Sequence, residues 1–207
     1  MTRIAFVGGG GFSKEVDEVA GLCGHEVVGY VGDVLGVLDR PYWGTVEWLL
    51  ENRHAFDAVF VAFGSVDRKS SIRRSAMIDW VIGNGFSSLP LVSPHAIRSR
   101  GVEIADGAFV AHGVTLSVDA VVHSFAILNS NAIIGHDAVI GRNATIAPGA
   151  FIGGAARIGD NTLIGPGALV LENRLIGQDV IVGLGATVVR DVKDGATVVP
   201  IRSRVLG

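Results

Sequence analysis

The sequence predicts a small parallel α/β domain followed by an all-β solenoid built from six-residue repeats. Strands and helices alternate in the first 92 residues, which is typical of a parallel sheet. From Ile104 to Val188 an aliphatic residue occupies every sixth position, a period that is neither helical nor that of a simple alternating strand. We therefore expect two domains, residues 1–92 and residues 93–207, with the boundary near Ser93-Pro94.

Buried apolar runs and amphipathic stretches define the expected elements of the first domain. The expected strands are Ile4–Val7, Val27–Tyr30, Ala58–Ala62 and a short one near Ser88–Leu91. The expected helices are Ser13–Leu22, Thr45–Asn52 and Arg68–Gly83.

The second domain repeats one large and one small apolar residue in each hexapeptide. Fifteen consecutive aliphatic residues share one register: Ile104, Val110, Leu116, Val122, Leu128, Ile134, Ile140, Ile146, Ile152, Ile158, Ile164, Val170, Ile176, Val182 and Val188. Alanine recurs with the same period from Ala120 to Ala156. This pattern predicts short strands joined by tight corners, with three repeats closing a triangular coil of 18 residues and five coils over residues 104–193.

Composition excludes several classes of protein. Hydrophobic residues make up 49% of the chain, and 29 glycines accompany only 6 prolines, which excludes disorder and collagen. No apolar run is long enough for a membrane span, and no signal peptide is recognisable. The net charge of −3 without a basic run argues against nucleic acid or an anionic membrane as partner. A single cysteine, Cys23, fits a reducing compartment, so we expect a cytoplasmic protein.

The solenoid carries unusually little charge. Between Gly107 and Ala156 the charged residues are Asp119, Asp137 and Arg142. An ordinary soluble surface is about a quarter charged, so we expect other copies of the chain to cover part of this surface.

His136 is the candidate catalytic residue. It follows the inward-facing Ile134 by two positions, which places it outward or at a corner. An imidazole can remove a proton from an amine or hydroxyl as that group attacks a carbonyl. The alternative from register alone is an exposed histidine without a function.

A glycine-rich turn marks the candidate binding site of the first domain. Gly8-x-Gly10 follows a strand and precedes a helix, as in loops that bind phosphate, and Asp33 follows the second strand. The third glycine of the dinucleotide-binding pattern is Ser13 here, so the match is partial. A nicotinamide-dependent dehydrogenase is disfavoured, because the first 92 residues give one short sheet and the remaining domain is a solenoid that has no use for hydride.

The segment Ile134–Gly141, with Leu128-Asn129-Ser130 before it and Pro148–Ala150 after it, resembles a known catalytic stretch. It is similar to that of bacterial nucleotide-sugar acetyltransferases of the bacillosamine and perosamine type, members of the hexapeptide-repeat superfamily that are related to sialic-acid O-acetyltransferases. The resemblance implies a Rossmann-like N-terminal domain that binds a nucleotide sugar and a left-handed parallel β-helix. It also implies acetyl-CoA as co-substrate and a homotrimer with active sites between subunits.

The same resemblance implies roles for individual residues. His136 matches the general base and Asn129 an active-site asparagine. Gly135 replaces a frequent glutamate, so Asp137 or a main-chain carbonyl would orient the imidazole. The positions that match substrate contacts are Gly10, Gly11, Phe12, Asp33 and Gly64. The positions that match acetyl-CoA contacts are Thr145, Gly154, Pro166 and Leu184.

Several residues depart from the family pattern. Thr145 and Phe12 each replace a histidine, Ser65 replaces an asparagine, and the C-terminal ending is reduced to Val199–Arg202. No metal is expected, because histidines, cysteines and carboxylates do not cluster at ligand spacing.

We expect N-acetylation of a nucleotide-linked amino sugar. Two alternatives stay open: O-acetylation of a sialic acid or another sugar hydroxyl, and a catalytically silent binding or scaffold trimer.

Overall fold

The computed structural model describes residues 1–200 and begins with a three-stranded parallel sheet flanked by helices. The strands are β1 (Arg3–Val7), β2 (Glu26–Val31) and β3 (Ala58–Val61), in the order β2-β1-β3. The helices are α1 (Gly11–Leu22), α2 (Glu47–Glu51) and α3 (Arg68–Gly83), with a 3-10 turn at Arg53–Ala55. Ile201 and Arg202, from the altered ending, lie outside the described residues.

The two faces of this sheet bury different side chains, because successive residues of a strand point to opposite sides. Phe6 of β1 packs in one apolar cluster with Val16 of α1, and the neighbouring Val7 packs in a second cluster with Ile78 of α3. Helices α1 and α3 therefore cover opposite faces of the sheet.

The first three strands and the three helices confirm the sequence prediction, and α3 has the predicted bounds. The predicted fourth strand of this sheet is wrong. Leu91–Val92 pairs instead with Phe109–Val110, one 18-residue coil further on, and is the first strand of the solenoid.

The solenoid consists of two-residue parallel strands in three sheets. Sheet 1 contains β4 (Leu91–Val92), β7 (Phe109–Val110), β10 (Ile127–Leu128), β13 (Thr145–Ile146), β16 (Leu163–Ile164), β19 (Ile181–Val182) and β21 (Thr197–Val198). Sheet 2 contains β5 (Ile97–Arg98), β8 (Thr115–Leu116), β11 (Ile133–Ile134), β14 (Phe151–Ile152), β17 (Leu169–Val170) and β20 (Thr187–Val188). Sheet 3 contains β6 (Glu103–Ile104), β9 (Val121–Val122), β12 (Val139–Ile140), β15 (Arg157–Ile158) and β18 (Leu175–Ile176).

The predicted register is confirmed inside the solenoid. Fourteen of the fifteen aliphatic residues are buried, Ile104 is half-buried, and the alanines from Ala120 to Ala156 are fully buried. The solenoid is longer than the five coils predicted, since it runs from Leu91 to Val198. The six-residue pattern did not reveal where the solenoid begins, because the exposed Arg98 occupies a register position that is otherwise aliphatic.

Three stacks of corners connect the sheets. We call the corners from sheet 1 to sheet 2 the first corner, those from sheet 2 to sheet 3 the second, and those from sheet 3 to sheet 1 the third. One residue of most corners has left-handed backbone, and glycine, asparagine or aspartate fills most of these positions, as expected for positive φ. Phe125 (φ 59°) and Ala155 (φ 55°) are exceptions.

The three faces of the solenoid differ in what covers them. The outward side chains of the first five strands of sheet 1, including Phe109, Ile127 and Thr145, are buried, and Phe12 of α1 packs edge-on against Phe109 with 5.3 Å between ring centroids. The N-terminal layer thus lies on sheet 1. Sheet 2 instead exposes a row of large apolar side chains, here called the sheet 2 stripe: Ile97, Ile133, Phe151 and Leu169. No helix within residues 1–200 is both long and apolar enough to cross a membrane.

Candidate active site

His136 lies at the second corner, between β11 and β12, with 68% of its side chain exposed. Its Nδ1 is 2.7 Å from Oδ2 of Asp137. An ionised carboxylate can only accept a hydrogen bond, so Nδ1 carries the proton and donates it to Asp137. Nε2 is then the basic atom of the imidazole, and it faces away from Asp137.

Glycines shape the surface around this imidazole. A side chain at Gly154, one coil beyond His136, would begin 2.6 Å from Nε2, so the imidazole lies against the bare backbone at Gly154. A side chain at Gly135 would begin 2.5 Å from the backbone nitrogen of Gly154. The coils stack too closely here for the glutamate that precedes the histidine in the resembled family, and Asp137 supplies a carboxylate from the other side.

The other predicted catalytic and coenzyme residues divide between the first corner and sheet 1. Asn129 follows β10 at the first corner, and within residues 1–200 no side-chain hydrogen bond joins it to His136. Pro166 and Leu184 are exposed at the first corner, in successive coils. Thr145 is 3% exposed on sheet 1, where it offers almost no surface to a coenzyme. Apart from Thr145, one chain therefore places the predicted catalytic and coenzyme residues on two corners, on either side of the sheet 2 stripe.

A cleft of about 500 Å³ opens at the carboxyl ends of the N-terminal strands. It is lined by Gly8, Gly9, Gly10, Gly32, Asp33, Val34, Gly36, Phe63, Gly64, Ser70 and Arg73. The cleft therefore brings together three of the five predicted substrate residues, Gly10, Asp33 and Gly64. The side chain of Phe12 packs against Phe109 instead, and Gly11 is the first residue of α1.

Packing explains two glycines around this cleft and leaves two others unexplained. A side chain at Gly9 would begin 2.2 Å from the Tyr30 ring, and one at Gly36 would begin 2.1 Å from the carbonyl oxygen of Gly9. At Gly10 and Gly11 nothing lies within 4 Å of that position, and neither residue has positive φ. Bare backbone at the start of a helix suits a ligand that approaches the amides closely, phosphate above all.

Comparison with known proteins supports a common family for the whole chain. The bacterial transferase hexapeptide pattern (six repeats) matches residues 119–154. The perosamine N-acetyltransferase of Caulobacter crescentus, solved in complex with CoA and GDP-perosamine, is 30% identical, with a TM-score of 0.87 over 95% of this chain and 93% of that one. The chain belongs to the left-handed β-helix sugar acetyltransferases.

Two further members have the same architecture. The acetyltransferase domain of PglB from Neisseria gonorrhoeae FA1090, in complex with acetyl coenzyme A, is 28% identical, with a TM-score of 0.86 over 95% of each chain. WeeI from Acinetobacter baumannii AYE is 26% identical, with a TM-score of 0.81 over 95% of this chain and 96% of that one. A search of curated protein sequences gave no significant match. The family resemblance seen in the sequence is thus confirmed, and the protein is an acyltransferase.

Two neighbouring arginines of α3 were not foreseen from the sequence of this acetyltransferase. Arg73 lines the cleft, and Arg74 is fully buried between the N-terminal layer and the solenoid. Arg74 donates hydrogen bonds to the carbonyl oxygens of Phe63 (2.8 Å) and Phe125 (2.7 Å) and to the side chain of Asn143. Burial lowers the pKa of Arg74 to about 9, so it stays protonated at neutral pH. Arg74 thus ties the loop beside Gly64 to the third corner of the solenoid.

Other reactive groups have structural roles in the described part of the chain. The thiol of Cys23 donates to the carbonyl oxygen of Val92 at 3.1 Å, and burial raises its pKa, which disfavours the nucleophilic thiolate. Among residues 1–200 there is no group of three or more histidine, cysteine or carboxylate side chains that could hold a metal ion.

Proposed function

We propose that this acyltransferase acetylates the amino group of a nucleotide-linked amino sugar, such as a 4-amino-dideoxy sugar, with acetyl-CoA as the donor. The observation that carries the proposal is the similarity over 95% of the chain to an N-acetyltransferase solved with CoA and GDP-perosamine. The exposed His136–Asp137 pair supplies the base that this reaction needs.

The transfer is direct, without an acyl-enzyme. Acetyl-CoA supplies the acetyl thioester. Nε2 of His136 accepts the proton of the amine as the nitrogen attacks the thioester carbonyl, and a backbone N–H stabilises the oxyanion. The new C–N bond replaces the C–S bond, and the proton held by His136 goes to the departing thiolate. Asp137 holds the imidazole through Nδ1, and Asn129 is an active-site asparagine from the first corner.

The surface beside His136 fits a narrow, extended coenzyme arm. The coil presents backbone rather than a side chain at Gly154, and no side chain separates Nε2 from this backbone. Gly154, with Pro166 and Leu184 on the first corner, would hold the coenzyme. Thr145 belongs to this predicted set by its position in the sequence alone, because its side chain is buried.

Residues 1–92 act in this proposal as the Rossmann-like domain that binds the nucleotide sugar, and residues 93–207 as the acetyltransferase domain. Gly10, Gly11, Asp33 and Gly64 are the substrate contacts around the cleft, and Phe12 adjoins them. The open backbone at Gly10 and Gly11 supports this assignment. We place the reaction in the cytoplasm, in keeping with the single, unpaired Cys23.

The working unit is proposed to be a homotrimer with active sites between subunits. Asn129 and His136 lie on different corners of one chain, separated by the sheet 2 stripe. If this stripe packs against a second copy, the first corner of one subunit can approach the second corner of its neighbour.

One assay separates this proposal from its rivals. Free CoA is measured after incubation of the full chain with acetyl-CoA and a panel of UDP- and GDP-linked amino sugars, with sialic acid and deaminated sugar nucleotides as controls, and the product is identified by mass spectrometry. N-acetylation predicts CoA release and a base-stable product only with amino sugars. CoA release with sialic acid but not with amino sugars would favour O-acetylation, and the absence of CoA release with every acceptor would favour the scaffold alternative.

A further inference from the structure

The cleft beside the glycine turn contains one cation and one anion, and they face each other. Among the residues that line it, Arg73 carries the only positive charge and Asp33 the only negative charge. Nη2 of Arg73 is 3.0 Å from Oδ2 of Asp33, and the guanidinium carbon lies 5.2 Å from the centre of the Phe63 ring. The two groups sit on opposite walls, since Asp33 follows β2 and Arg73 belongs to α3.

This ion pair is weak enough to exchange partners. The side chains of Arg73 and Asp33 are 66% and 81% exposed, and exposed ion pairs of this kind contribute little to stability because water screens both charges. A guanidinium has donors that match phosphate oxygens, and a carboxylate accepts from the hydroxyls of a ribose. The two charged groups of the cleft therefore suit a nucleoside diphosphate, whose phosphates would bind the cation and whose ribose hydroxyls would bind the anion.

We propose that Arg73 binds the diphosphate of the nucleotide sugar and determines that only diphosphate-linked sugars are good substrates. On binding, Arg73 leaves Asp33 for the phosphate oxygens, and Asp33 becomes free to accept from the ribose hydroxyls. The amides at Gly10 and Gly11 approach the same phosphates from the other side of the cleft. This inference rests on the proposed function, because it concerns the substrate site of that reaction.

The test is calorimetric titration of the full chain with UDP, GDP, uridine and guanosine, so that its readout does not depend on catalysis. Arg73→Ala should weaken binding of the diphosphate that the wild type prefers by about tenfold or more and leave binding of the matching nucleoside unchanged. Arg73→Lys should recover part of the loss, because a point charge remains. Lys69→Ala is the matched control: Lys69 is an exposed cation on the same helix outside the cleft, and its removal should change neither affinity.

Three results would overturn the inference: equal diphosphate affinity in wild type and Arg73→Ala, an equal loss for nucleoside and diphosphate, or no binding of either diphosphate to the wild type. The acetylation assay keeps the two proposals apart. If the wild type acetylates amino-sugar nucleotides but Arg73→Ala binds diphosphate normally, the inference fails and the function stands. If the wild type acetylates nothing but loses diphosphate affinity with Arg73→Ala, the proposed function fails, while Arg73 remains the diphosphate-binding residue of the cleft.

Discussion

The imidazole of His136 lies outside the solenoid core, so its removal separates chemistry from folding. His136→Ala should lower kcat by about 10²–10⁴-fold, the usual contribution of a general base. The melting temperature should stay within a degree or two of the wild type, because an exposed side chain contributes little to stability. Steady-state CoA release measures the change in kcat, and a thermal melt measures the change in melting temperature. Normal turnover in this variant would show that another group takes the proton.

A substitution of Asp137 tests whether the negative charge of its side chain, rather than the space that it fills, holds the imidazole of His136. Asp137→Asn keeps a residue that tolerates the left-handed backbone at this corner (φ 58°) but removes the negative charge. We expect kcat to fall by about tenfold, roughly 1.4 kcal/mol of transition-state stabilisation. Asp119→Asn is the control, since Asp119 has the same corner position one coil earlier, with φ 59°. Equal effects of the two substitutions would mean that Asp137 is a corner residue only.

The six-residue register placed His136 outside the core, and the family resemblance, with Gly135 in place of the usual glutamate, indicated His136 and Asp137 as catalytic residues. The sequence could not indicate Arg73 or Arg74. Adjacent residues of a helix point in different directions, and the groups that each arginine contacts become visible only once the N-terminal layer is packed on the solenoid. Arg74 is the clearer case. A fully buried arginine without a carboxylate partner is rare, and its carbonyl acceptors lie 11 and 51 residues away in the chain.

At the scale of elements, the close stacking of coils sets what each glycine tolerates. Gly154→Ala should preserve the melting temperature and lower kcat, because the new methyl group would meet the movable imidazole of His136. Gly135→Ala should instead destabilise the protein by about 1–3 kcal/mol, since its methyl group would meet the backbone of the adjacent coil. Thermal melts at one protein concentration, paired with kinetics, distinguish the two. A stable and fully active Gly135→Ala variant would contradict the explanation that close stacking of the coils excludes a glutamate at position 135.

The solenoid was largely predictable because each of its elements repeats one physical requirement, an aliphatic side chain facing the interior every six residues. Prediction failed where that requirement lapses. Arg98 interrupts the register before the first regular coil, and the final pair, Ile181 with Thr197, closes after 16 residues rather than 18. The strand at Leu91–Val92 could not be assigned to the right sheet from sequence, since a two-residue apolar segment fits either sheet.

At the scale of the molecule, low charge and exposed apolar side chains both favour one face, sheet 2, for the proposed contact with another copy. The N-terminal layer covers sheet 1, and the sheet 2 stripe leaves Ile133 and Phe151 exposed within the charge-poor coils, with Leu169 exposed in the next coil. Contiguous exposed apolar side chains of this kind mark interaction surfaces. The corners with Asn129 and His136 border this stripe, so assembly through it would also complete the proposed active site.

Phe151→Asp tests this assembly, because a carboxylate in the stripe would be costly to bury against a second copy. Light scattering coupled to size exclusion should give three times the chain mass of 21.5 kDa for the wild type and a smaller mass for Phe151→Asp. CoA release should fall with the mass, since one chain holds its predicted site residues on separate corners. Leu175→Asp is the matched control: Leu175 is an exposed apolar residue on sheet 3, and this variant should keep both the mass and the activity. A wild type of 21.5 kDa, or a fully active Phe151→Asp monomer, would exclude a site shared between subunits.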